Sequence, residues 1–289
     1  MPHIDDIKIK ELELTANKIR QSIIAMLAEA GSGHTAGPLG MTDVFTAFYF
    51  HILNHRPHEP GWADRDRLFL SNGHICPVLY ATMAHAGYLP IEELKTLRKF
   101  GSRLQGHPER EVLPGLESTS GPLGSGLSQA AGYAYALRMD AISYKLKAIS
   151  SPRVYCLMSD GEQEEGNTWE AAMFAGHYKL ANLTGIVDRN NIQIDGKVEN
   201  IMGLEPFKAK YEAFNWHVIE INAHNFTDII DAVETAKEIT AKPTLIIANT
   251  IPGKGIASIE GDYLWHGKPP TREEAQHFLK ELRSAYDKI

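Results

Sequence analysis

The sequence predicts an α/β fold in which a parallel β-sheet carries helices on both faces. Short apolar runs, rich in the β-branched residues Val and Ile, alternate along the chain with longer segments of helical periodicity. Such nearly continuous apolar runs are typical of strands that are buried on both faces of a parallel sheet. No linker, internal repeat or low-complexity tract interrupts the 289 residues, so we expect residues 1–289 to form a single domain.

The individual elements follow from periodicity and from helix-ending residues. The first helix is predicted over 5–30, where an apolar residue recurs every three or four positions before Gly31. Further helical patterns cover 41–53, 76–87, 91–99, 125–147, 168–180, 226–239 and 272–286, and strands are predicted at 153–158, 184–187, 217–221 and 244–248. Thr271 and Glu274 form a capping box for the last helix. Residues 101–126 have no period and predict a long functional loop.

Composition excludes several classes of protein. The formal net charge is −7 and no basic run is present, which argues against nucleic-acid binding. No stretch of eighteen apolar residues occurs, so no membrane span is expected. No secretory signal is visible at the N-terminus. Two cysteines, Cys76 and Cys156, are too few for a disulfide framework, so we expect a reducing, cytoplasmic location.

A cluster of carboxylates follows the strand at 153–158. Asp160 and Gly161 begin a turn that also carries Glu162, Glu164 and Glu165, and a helix starts shortly afterwards. A strand, a glycine turn and a helix N-terminus together favour anion binding. The carboxylates would repel an anion unless a cation lay between them, and a hard divalent ion with oxygen ligands satisfies both requirements.

The next strand supplies the second half of such a site. Asn190 follows it, thirty residues beyond Asp160, which is about one α/β crossover. Adjacent parallel strands would bring both loops to one edge of the sheet. The Asp160 carboxylate, the Asn190 amide oxygen and the Ile192 carbonyl would leave octahedral positions of Mg²⁺ open for phosphate oxygens. Each half alone is more often a plain turn; the two together predict a metal site.

This pattern resembles the diphosphate-binding signature of thiamine-diphosphate enzymes, and Glu165-Gly166 with Trp169-Glu170 resembles the transketolase family. The resemblance implies the thiamine-diphosphate-binding fold, with thiamine diphosphate and Mg²⁺ as cofactors and Ca²⁺ or Mn²⁺ as possible substitutes. It implies that Gly161 donates its N–H to the diphosphate and that Asn190 also contacts the cofactor. Glu165 would contact the cofactor region near the dimer centre and link two cofactor sites.

Four histidines lie in loops rich in glycine or proline: His34, His74, His107 and His266. Histidine titrates near neutrality and suits proton transfer to sugar hydroxyls. The loops around them resemble transketolase motifs in the same order. The resemblance implies proton transfer by His34 and His266, contact of His107 with donor hydroxyls, and cofactor contacts by His74 and His266.

The segment Gly121-Pro122-Leu123 also resembles the family, and it implies backbone contact with the cofactor. Four departures from the family pattern are present. Thr35-Ala36 replaces Pro-Gly after the first histidine, and Ser125 replaces Gln. Ser159 replaces the glycine before the expected metal ligand Asp160. Gln163-Glu164 is an unusual residue pair at this place in the acidic loop. None of them removes an expected metal ligand.

The resemblance also implies a missing half. In transketolases the pyrimidine pocket lies in a second domain, and nothing within 1–289 resembles it. We therefore expect the pyrimidine-binding domain on a partner chain, a C-terminal transketolase subunit, in an α2β2 heterotetramer. The implied reaction moves a two-carbon ketol unit from a ketose donor to an aldose acceptor. Pentose phosphates, a branched-sugar phosphate or a sulfonated sugar are all compatible substrates.

Other interpretations of the same residues are open. The α chain of a 2-oxo acid dehydrogenase shares the diphosphate loop, although the Gly-His loops favour sugar chemistry. 1-Deoxyxylulose-5-phosphate synthase fits the loop around His107 poorly. A third interpretation is a thiamine-diphosphate-binding module that retains the fold but has lost catalysis. His51, His55 and His58 have a spacing that could bind zinc on a helix, but Pro57 interrupts it.

Overall fold

The computed structural model describes residues 4–143, 152–287 and 289. Seven strands occur among them: β1 Arg67–Leu70, β2 Val154–Ser159, β3 Leu183–Arg189, β4 Ile192–Gln193, β5 Gly196–Lys197, β6 His217–Asn222 and β7 Thr244–Asn249. Five form one parallel sheet in the order β1-β2-β3-β7-β6, and β4 pairs with β5 in a small antiparallel hairpin. The predicted α/β class with a parallel sheet is confirmed.

The helices in the described part of the chain are α1 Asp6–Ala30, α2 Ala36–Gly40, α3 Thr42–Ala47, α4 Cys76–His85, α5 Ser125–Ser143, α6 Gly166–His177, α7 Val198–Ile201, α8 Phe207–Ala213, α9 Phe226–Glu238 and α10 Arg272–Tyr286. Short 3₁₀ turns cover Gly73–Ile75, Ile91–Thr96, Gly161–Glu164 and Tyr263–Trp265, and a π turn covers Phe48–Ile52. Gly31 ends α1 in the left-handed region with φ 62°. The predicted capping box of Thr271 and Glu274 is present at α10.

Apolar residues are buried on both faces of the sheet. One cluster contains Tyr155 and Leu157 of β2 with residues of α1, α3, α4, α9 and α10. The other contains Cys156 and Met158 of β2 with residues of α5, α6 and α8, and it includes Trp216. Since both alternating sets of side chains in β2 meet apolar neighbours, the strand reads as a continuous apolar run.

Several features differ from the sequence prediction, and among them the β4–β5 hairpin and the helices α7 and α8 were not predicted. Strand β1 was not predicted, because four residues that begin with Arg67 leave too short a pattern to recognise. The segment predicted as one helix over 41–53 consists of α3 followed by the π turn, with α2 ending at Gly40 just before it. The segment 91–99 forms only a 3₁₀ turn, and Arg98 then takes a positive φ of 58°. The end of the predicted helix 125–147 lies outside the described residues.

The strand register places several loops at one edge of the sheet. Leu70 of β1 pairs with Leu157 of β2, Ser159 of β2 pairs with Asp188 of β3, and Asp188 pairs with Ala248 of β7. The loops that follow these four parallel strands therefore open on the same carboxyl edge, where ligands bind in folds of this kind.

Two expectations about environment can be compared with the structure. Cys76 and Cys156 are both buried and free. Within 4–143, 152–287 and 289, no helix has the length and apolarity needed to span a membrane. The cytoplasmic location stays a prediction.

Candidate active site

Asp160 lies at the carboxyl end of β2 and is 1 % exposed. Its Oδ1 accepts a hydrogen bond from the Gly161 N–H at 2.8 Å, and its Oδ2 accepts one from the Asn191 N–H at 2.6 Å. The second bond crosses from the loop after β2 to the loop after β3. The structure therefore brings the two halves of the predicted metal site together at one edge of the sheet.

Asn190 is buried beside this turn and uses both ends of its amide. Its Nδ2 donates to Asp188 Oδ2 at 2.8 Å, and its Oδ1 accepts from the Ile192 N–H at 3.0 Å. Asp188, the residue of β3 that lies opposite Ser159, also accepts a hydrogen bond from the Thr250 hydroxyl of the loop after β7. Asp188 and Thr250 were not predicted, although a carboxylate inside an apolar strand two residues before Asn190 was a usable signal.

Burial governs the charge of these carboxyls. It raises the pKa of Asp160 from 3.8 to about 6, against the hydrogen bonds from the two backbone N–H groups. Burial, followed by the nearby Asp160 carboxyl, raises the pKa of Asp188 to about 7. Two adjacent buried carboxyls with raised pKa values favour a cation between or beside them, and oxygen donors suit a hard divalent ion. The residues present therefore fit Mg²⁺, with Asp160 and Asn190 as side-chain ligands and the Ile192 carbonyl as the predicted third.

Glu162 has a different task from the one that its position in an acidic loop suggests. Its side chain is fully buried and accepts hydrogen bonds from the Ser71 hydroxyl, the Gly124 N–H and, at 3.1 Å, the Ser159 N–H. Burial raises the pKa of the Glu162 carboxyl, whereas these donors lower it. Glu162 thus ties the loop after β1, the loop before α5 and the Asp160 turn to one another. Nothing in the sequence distinguished it from the other loop carboxylates.

The departures in this loop have structural partners. The buried amide of Gln163 accepts from the Tyr211 hydroxyl at 2.6 Å and donates to the Ser159 carbonyl at 3.0 Å. Glu164 accepts a hydrogen bond from the side-chain amide of Gln193, which lies in the β4–β5 hairpin. Glu165 is exposed at the N-cap of α6. Of the four carboxylates in the acidic loop, only that of Asp160 is bonded to the Asn191 backbone on the neighbouring loop.

Three histidine rings meet at the same edge. The ring centroids of His34 and His74 lie 5.0 Å apart, and His266 lies 5.4 Å from each of them. The Nδ1 atoms of His34 and His266 are buried and have no hydrogen-bond partner among the described residues. These predicted site histidines come from loops that are up to 232 residues apart in the chain (266 − 34).

Burial makes the neutral form of these imidazoles the favoured one. It lowers the pKa of His34 from 6.5 to about 4, with further contributions from His266, Arg98 and His107. Burial also lowers the pKa of His74 well below its usual value, and that of His266 to a smaller extent. A neutral imidazole carries one donor and one acceptor nitrogen, so it can give or take a proton at a hydroxyl group.

His107 and the Gly121-Pro122-Leu123 segment complete the predicted set. His107 is exposed, although neighbouring groups cover part of its ring. This partial burial, followed by the charge of Arg98, lowers the pKa of His107. A Cβ added to Gly73, the residue before His74, would lie 3.3 Å from the His107 ring, so the two loops pack closely. A Cβ added to Gly121 would have no protein atom within 4 Å. The Gly121 backbone therefore faces open space, as a ligand contact requires.

The zinc alternative is not supported. His55 uses both ring nitrogens within the fold, with Nδ1 2.9 Å from the Tyr88 hydroxyl and Nε2 2.8 Å from the Tyr49 carbonyl. Within the described ranges, no group of three or more His, Cys, Asp or Glu side chains could hold a metal ion. The predicted Asp160–Asn190 site differs from such a cluster because its other ligands are an amide and a backbone carbonyl.

The fold and the site define an α/β protein with a candidate cofactor site at the carboxyl edge of a parallel sheet. Residues 12–287 match the family described as transketolase, thiamine diphosphate binding domain. The chain therefore belongs to the transketolase family, and the predicted resemblance to its diphosphate-binding half is confirmed.

Similar proteins fall into two groups: transketolase subunits of about the length of this chain, and longer transketolases. The 6-deoxy-6-sulfo-D-fructose transketolase subunit SqwG of Clostridium sp. (strain MSTE9) is 42 % identical over 94 % of this chain and 96 % of its own length. An apulose-4-phosphate transketolase subunit of Phocaeicola vulgatus is 39 % identical over 98 % of this chain and 97 % of its own. The transketolase structure from Campylobacter jejuni has a TM-score of 0.88 at 37 % identity, over 96 % of this chain but 42 % of its own. The chain thus spans less than half of that longer relative.

Proposed function

We propose that this chain, together with a partner chain, transfers a two-carbon ketol unit from a ketose to an aldose with thiamine diphosphate and Mg²⁺. One observation carries the proposal: the His34–His74–His266 cluster and the Asp160–Asn190 turn lie on loops of the same sheet edge. Glu162, two residues after Asp160, accepts a hydrogen bond from the Ser71 hydroxyl and so connects the Asp160 turn to the loop that carries His74. A site for an anionic cofactor and a set of proton-transfer groups are therefore adjacent.

The residues of this chain have separate tasks in the proposal. Asp160, Asn190 and the Ile192 carbonyl hold the metal ion, and the Gly161 turn lies against the diphosphate. The backbone of the Gly121-Pro122-Leu123 segment, with His74, lies against the rest of the cofactor. When bound, thiamine diphosphate supplies the nucleophilic carbon for the cleavage and formation of carbon–carbon bonds.

The histidines handle protons and hydroxyl groups. His34 and His266 are neutral near pH 7 because burial lowers their pKa values, so each can take a proton from a sugar hydroxyl and return it later. His107 is exposed and packs near Gly73, the residue before His74, and its proposed task is to contact hydroxyls of the donor. His74 lies against the other two rings and restricts their positions.

A partner chain is supported by apolar residues exposed around the same edge. Ile194 and Met202 follow β3, and Leu264 lies just before His266; their exposed fractions are 66 %, 58 % and 63 %. Exposed apolar groups concentrated around a site favour a protein interface. We propose that a C-terminal transketolase subunit covers them and supplies the pyrimidine pocket. Exposed Met173 and Phe174 on α6, the helix that begins after Glu165, are the proposed contact between two copies in an α2β2 assembly.

The proposed substrates are sugars with an anionic end, either a phosphate or a sulfonate. The names of the two relatives of matching length support this class. Arg98 also supports it, because it is exposed beside the histidine site and donates to the Gly106 carbonyl at 3.3 Å. The positive charge of Arg98 acts on the site, since it contributes to lowering the pKa of His34 and of His107, and a positive charge there attracts an anion.

The test is reconstitution with the partner chain encoded by a neighbouring reading frame. We expect ketol transfer between a ketose phosphate or sulfo-ketose and an aldose acceptor, dependent on both thiamine diphosphate and Mg²⁺, and negligible turnover from this chain alone. His34→Asn is expected to lower kcat about 100-fold with cofactor affinity unchanged. The exposed His58 offers the control His58→Asn, which is expected to retain the wild-type kcat.

Other outcomes would assign another function. Oxidation of pyruvate with an artificial electron acceptor, without ketol transfer, would favour a 2-oxo acid dehydrogenase component. Absence of Mg²⁺-dependent thiamine diphosphate binding by calorimetry, with the partner present, would favour a module without catalysis. Full activity of the isolated chain would contradict the need for a partner.

A further inference from the structure

Thr35 occupies the position directly after His34 and is fully buried. It is also a position where the sequence departs from the family pattern, which has proline there. The side chain does not cap the helix that follows, α2. Its hydroxyl instead donates to the Lys268 carbonyl at 2.6 Å, across 233 residues of sequence. Thr35 therefore joins the loop of His34 to the loop of His266.

The loop of His266 has its other anchors on α10. Lys268 Nζ lies 2.8 Å from Glu274 Oε1 and 3.8 Å from the centroid of the Trp265 ring. Trp265 in turn packs edge-on against Phe278, with centroids 5.3 Å apart. These contacts hold residues 265–268 against α10, but none of them involves the loop of His34. The Thr35 hydroxyl, by contrast, links the two histidine loops directly.

The two rings do not fix each other's position. His34 and His266 meet edge to face, with centroids 5.4 Å apart and an interplanar angle of 83°. Neither Nδ1 atom has a hydrogen-bond partner among the described residues. His74 packs against both rings, and the separation of His34 from His266 further depends on the backbones that carry them. Two hydrogen bonds join the segment after His34 to the chain on either side of His266: the Gly253 N–H donates to the Ala36 carbonyl at 2.9 Å, and the Thr35 hydroxyl donates to the Lys268 carbonyl. The Thr35 bond reaches the residue two positions after His266, so it restrains the loop of His266 itself.

We infer that Thr35 is a positioning residue that holds His34 and His266 at the separation needed for proton transfer on one substrate. The inference rests on the proposed function, in which both histidines act on the same sugar. A proline at this position would restrict the backbone of its own loop. Threonine adds a bond to the opposite loop, so it restrains both histidines together.

The chain offers a set of matched variants. Thr35→Val keeps the branched shape and removes the hydroxyl, whereas Thr35→Ser keeps the hydroxyl. Thr46→Val is the control: Thr46 in α3 is equally buried, and its hydroxyl donates to a backbone carbonyl, that of Thr42, at 2.7 Å. Both valine variants lose one buried hydrogen bond, so a loss of global stability alone would affect them alike.

Two measurements on the complex with the partner chain test the inference. In the first, Thr35→Val is expected to lower kcat about ten-fold, with little change in the KM for thiamine diphosphate, because a small misplacement of a catalytic group slows the reaction. Thr35→Ser is expected to restore most of kcat, and Thr46→Val to leave it unchanged. In the second, hydrogen–deuterium exchange of residues 262–269 is expected to rise in Thr35→Val only.

The outcomes separate this inference from the proposed function. If the wild-type complex shows no ketol transfer while exchange at 262–269 still rises in Thr35→Val alone, the proposed function fails and the tether between the loops stands. If ketol transfer is present but Thr35→Val retains both the wild-type kcat and the wild-type exchange, the positioning role is overturned. An equal loss of kcat in Thr35→Val and Thr46→Val would overturn it as well.

Discussion

Two groups of titratable side chains lie at the same edge of the sheet, and burial shifts their pKa values in opposite directions. Asp160 and Asp188 have raised pKa values, about 6 and about 7, whereas that of His34 is lowered to about 4. In both groups, burial disfavours the charged form. The carboxyls can regain their charge when a cation binds, whereas the proposed proton transfer requires the imidazoles to stay neutral.

The difference shows how one edge of the sheet can combine carboxyls suited to binding a cation with imidazoles suited to proton transfer. Asp160 accepts from two backbone N–H groups and lies 3.6 Å from the Arg189 guanidinium, and Asp188 accepts from the Asn190 amide and the Thr250 hydroxyl. Both pKa values stay raised in this polar surrounding, so a further cation would still be stabilised there. The His34–His74–His266 cluster consists of neighbouring rings whose mutual proximity further disfavours a second positive charge. The Glu162 carboxylate already accepts three hydrogen bonds, from the Ser71 hydroxyl and from the N–H groups of Gly124 and Ser159. Each of the following variants breaks one part of this arrangement.

The largest effect is expected for the proposed metal ligand. Asp160→Asn would remove the negative charge that is proposed to hold the divalent ion, so we expect Mg²⁺-dependent thiamine diphosphate affinity to fall by about 1,000-fold. Residues that only support a metal ligand typically cost about 10- to 100-fold. Calorimetry on the complex with the partner chain measures it. Asp231→Asn, on the exposed side of α9, is the control. Unchanged affinity in Asp160→Asn would remove the metal site from the proposal.

A smaller effect is expected for the buried carboxylate behind the site. Glu162→Ala leaves the Ser71 hydroxyl and the N–H groups of Gly124 and Ser159 without their acceptor, so the free energy of unfolding should fall by about 3 kcal/mol. Glu164→Ala removes a single bond from a partly exposed carboxylate and should cost less than about 1 kcal/mol. Urea unfolding of the two variants compares them. Equal losses would show that Glu162 does not hold the loops together.

The smallest effect is a pair of changes in the pH dependence of stability. Between pH 6.5 and about 4, the unfolded chain binds a proton at His34 that the folded chain does not, so this group makes stability rise with pH. Between pH 3.8 and about 6, the folded chain binds a proton at Asp160 that the unfolded chain does not, so this group makes stability fall with pH.

His34→Asn should therefore reduce the slope of unfolding free energy against pH near pH 5, and Asp160→Asn should increase it. Each change is at most about 1.4 kcal/mol per pH unit, and partial exposure of His34 makes its share smaller. Urea unfolding at several pH values without divalent ions measures both slopes. Changes of the same sign in the two variants would contradict the opposite effects of burial.

The amino-acid sequence by itself determined the fold class, the carboxyl edge as the place of the site, and the residue types that gather there. Apolar runs separated by helices require a parallel sheet buried on both faces, and motifs after successive strands then share one edge. Asp160, Asn190 and the histidine loops could therefore be found without coordinates. Strand β1 could not, because it is short and begins with Arg67.

Only the tertiary structure decided which partners each carboxylate of the acidic loop contacts. Asp160 and Glu162 are two residues apart and have similar side chains. Asp160 is bonded to the loop after β3, whereas Glu162 is bonded to the loop after β1, the loop before α5 and the end of β2. The bonds that join Asp188 to Thr250 and Thr35 to Lys268 were equally hidden, since the partners lie 62 and 233 residues apart in the chain. The physical reason is that local pattern fixes an element, whereas the direction and charge of a buried side chain depend on neighbours brought together by folding.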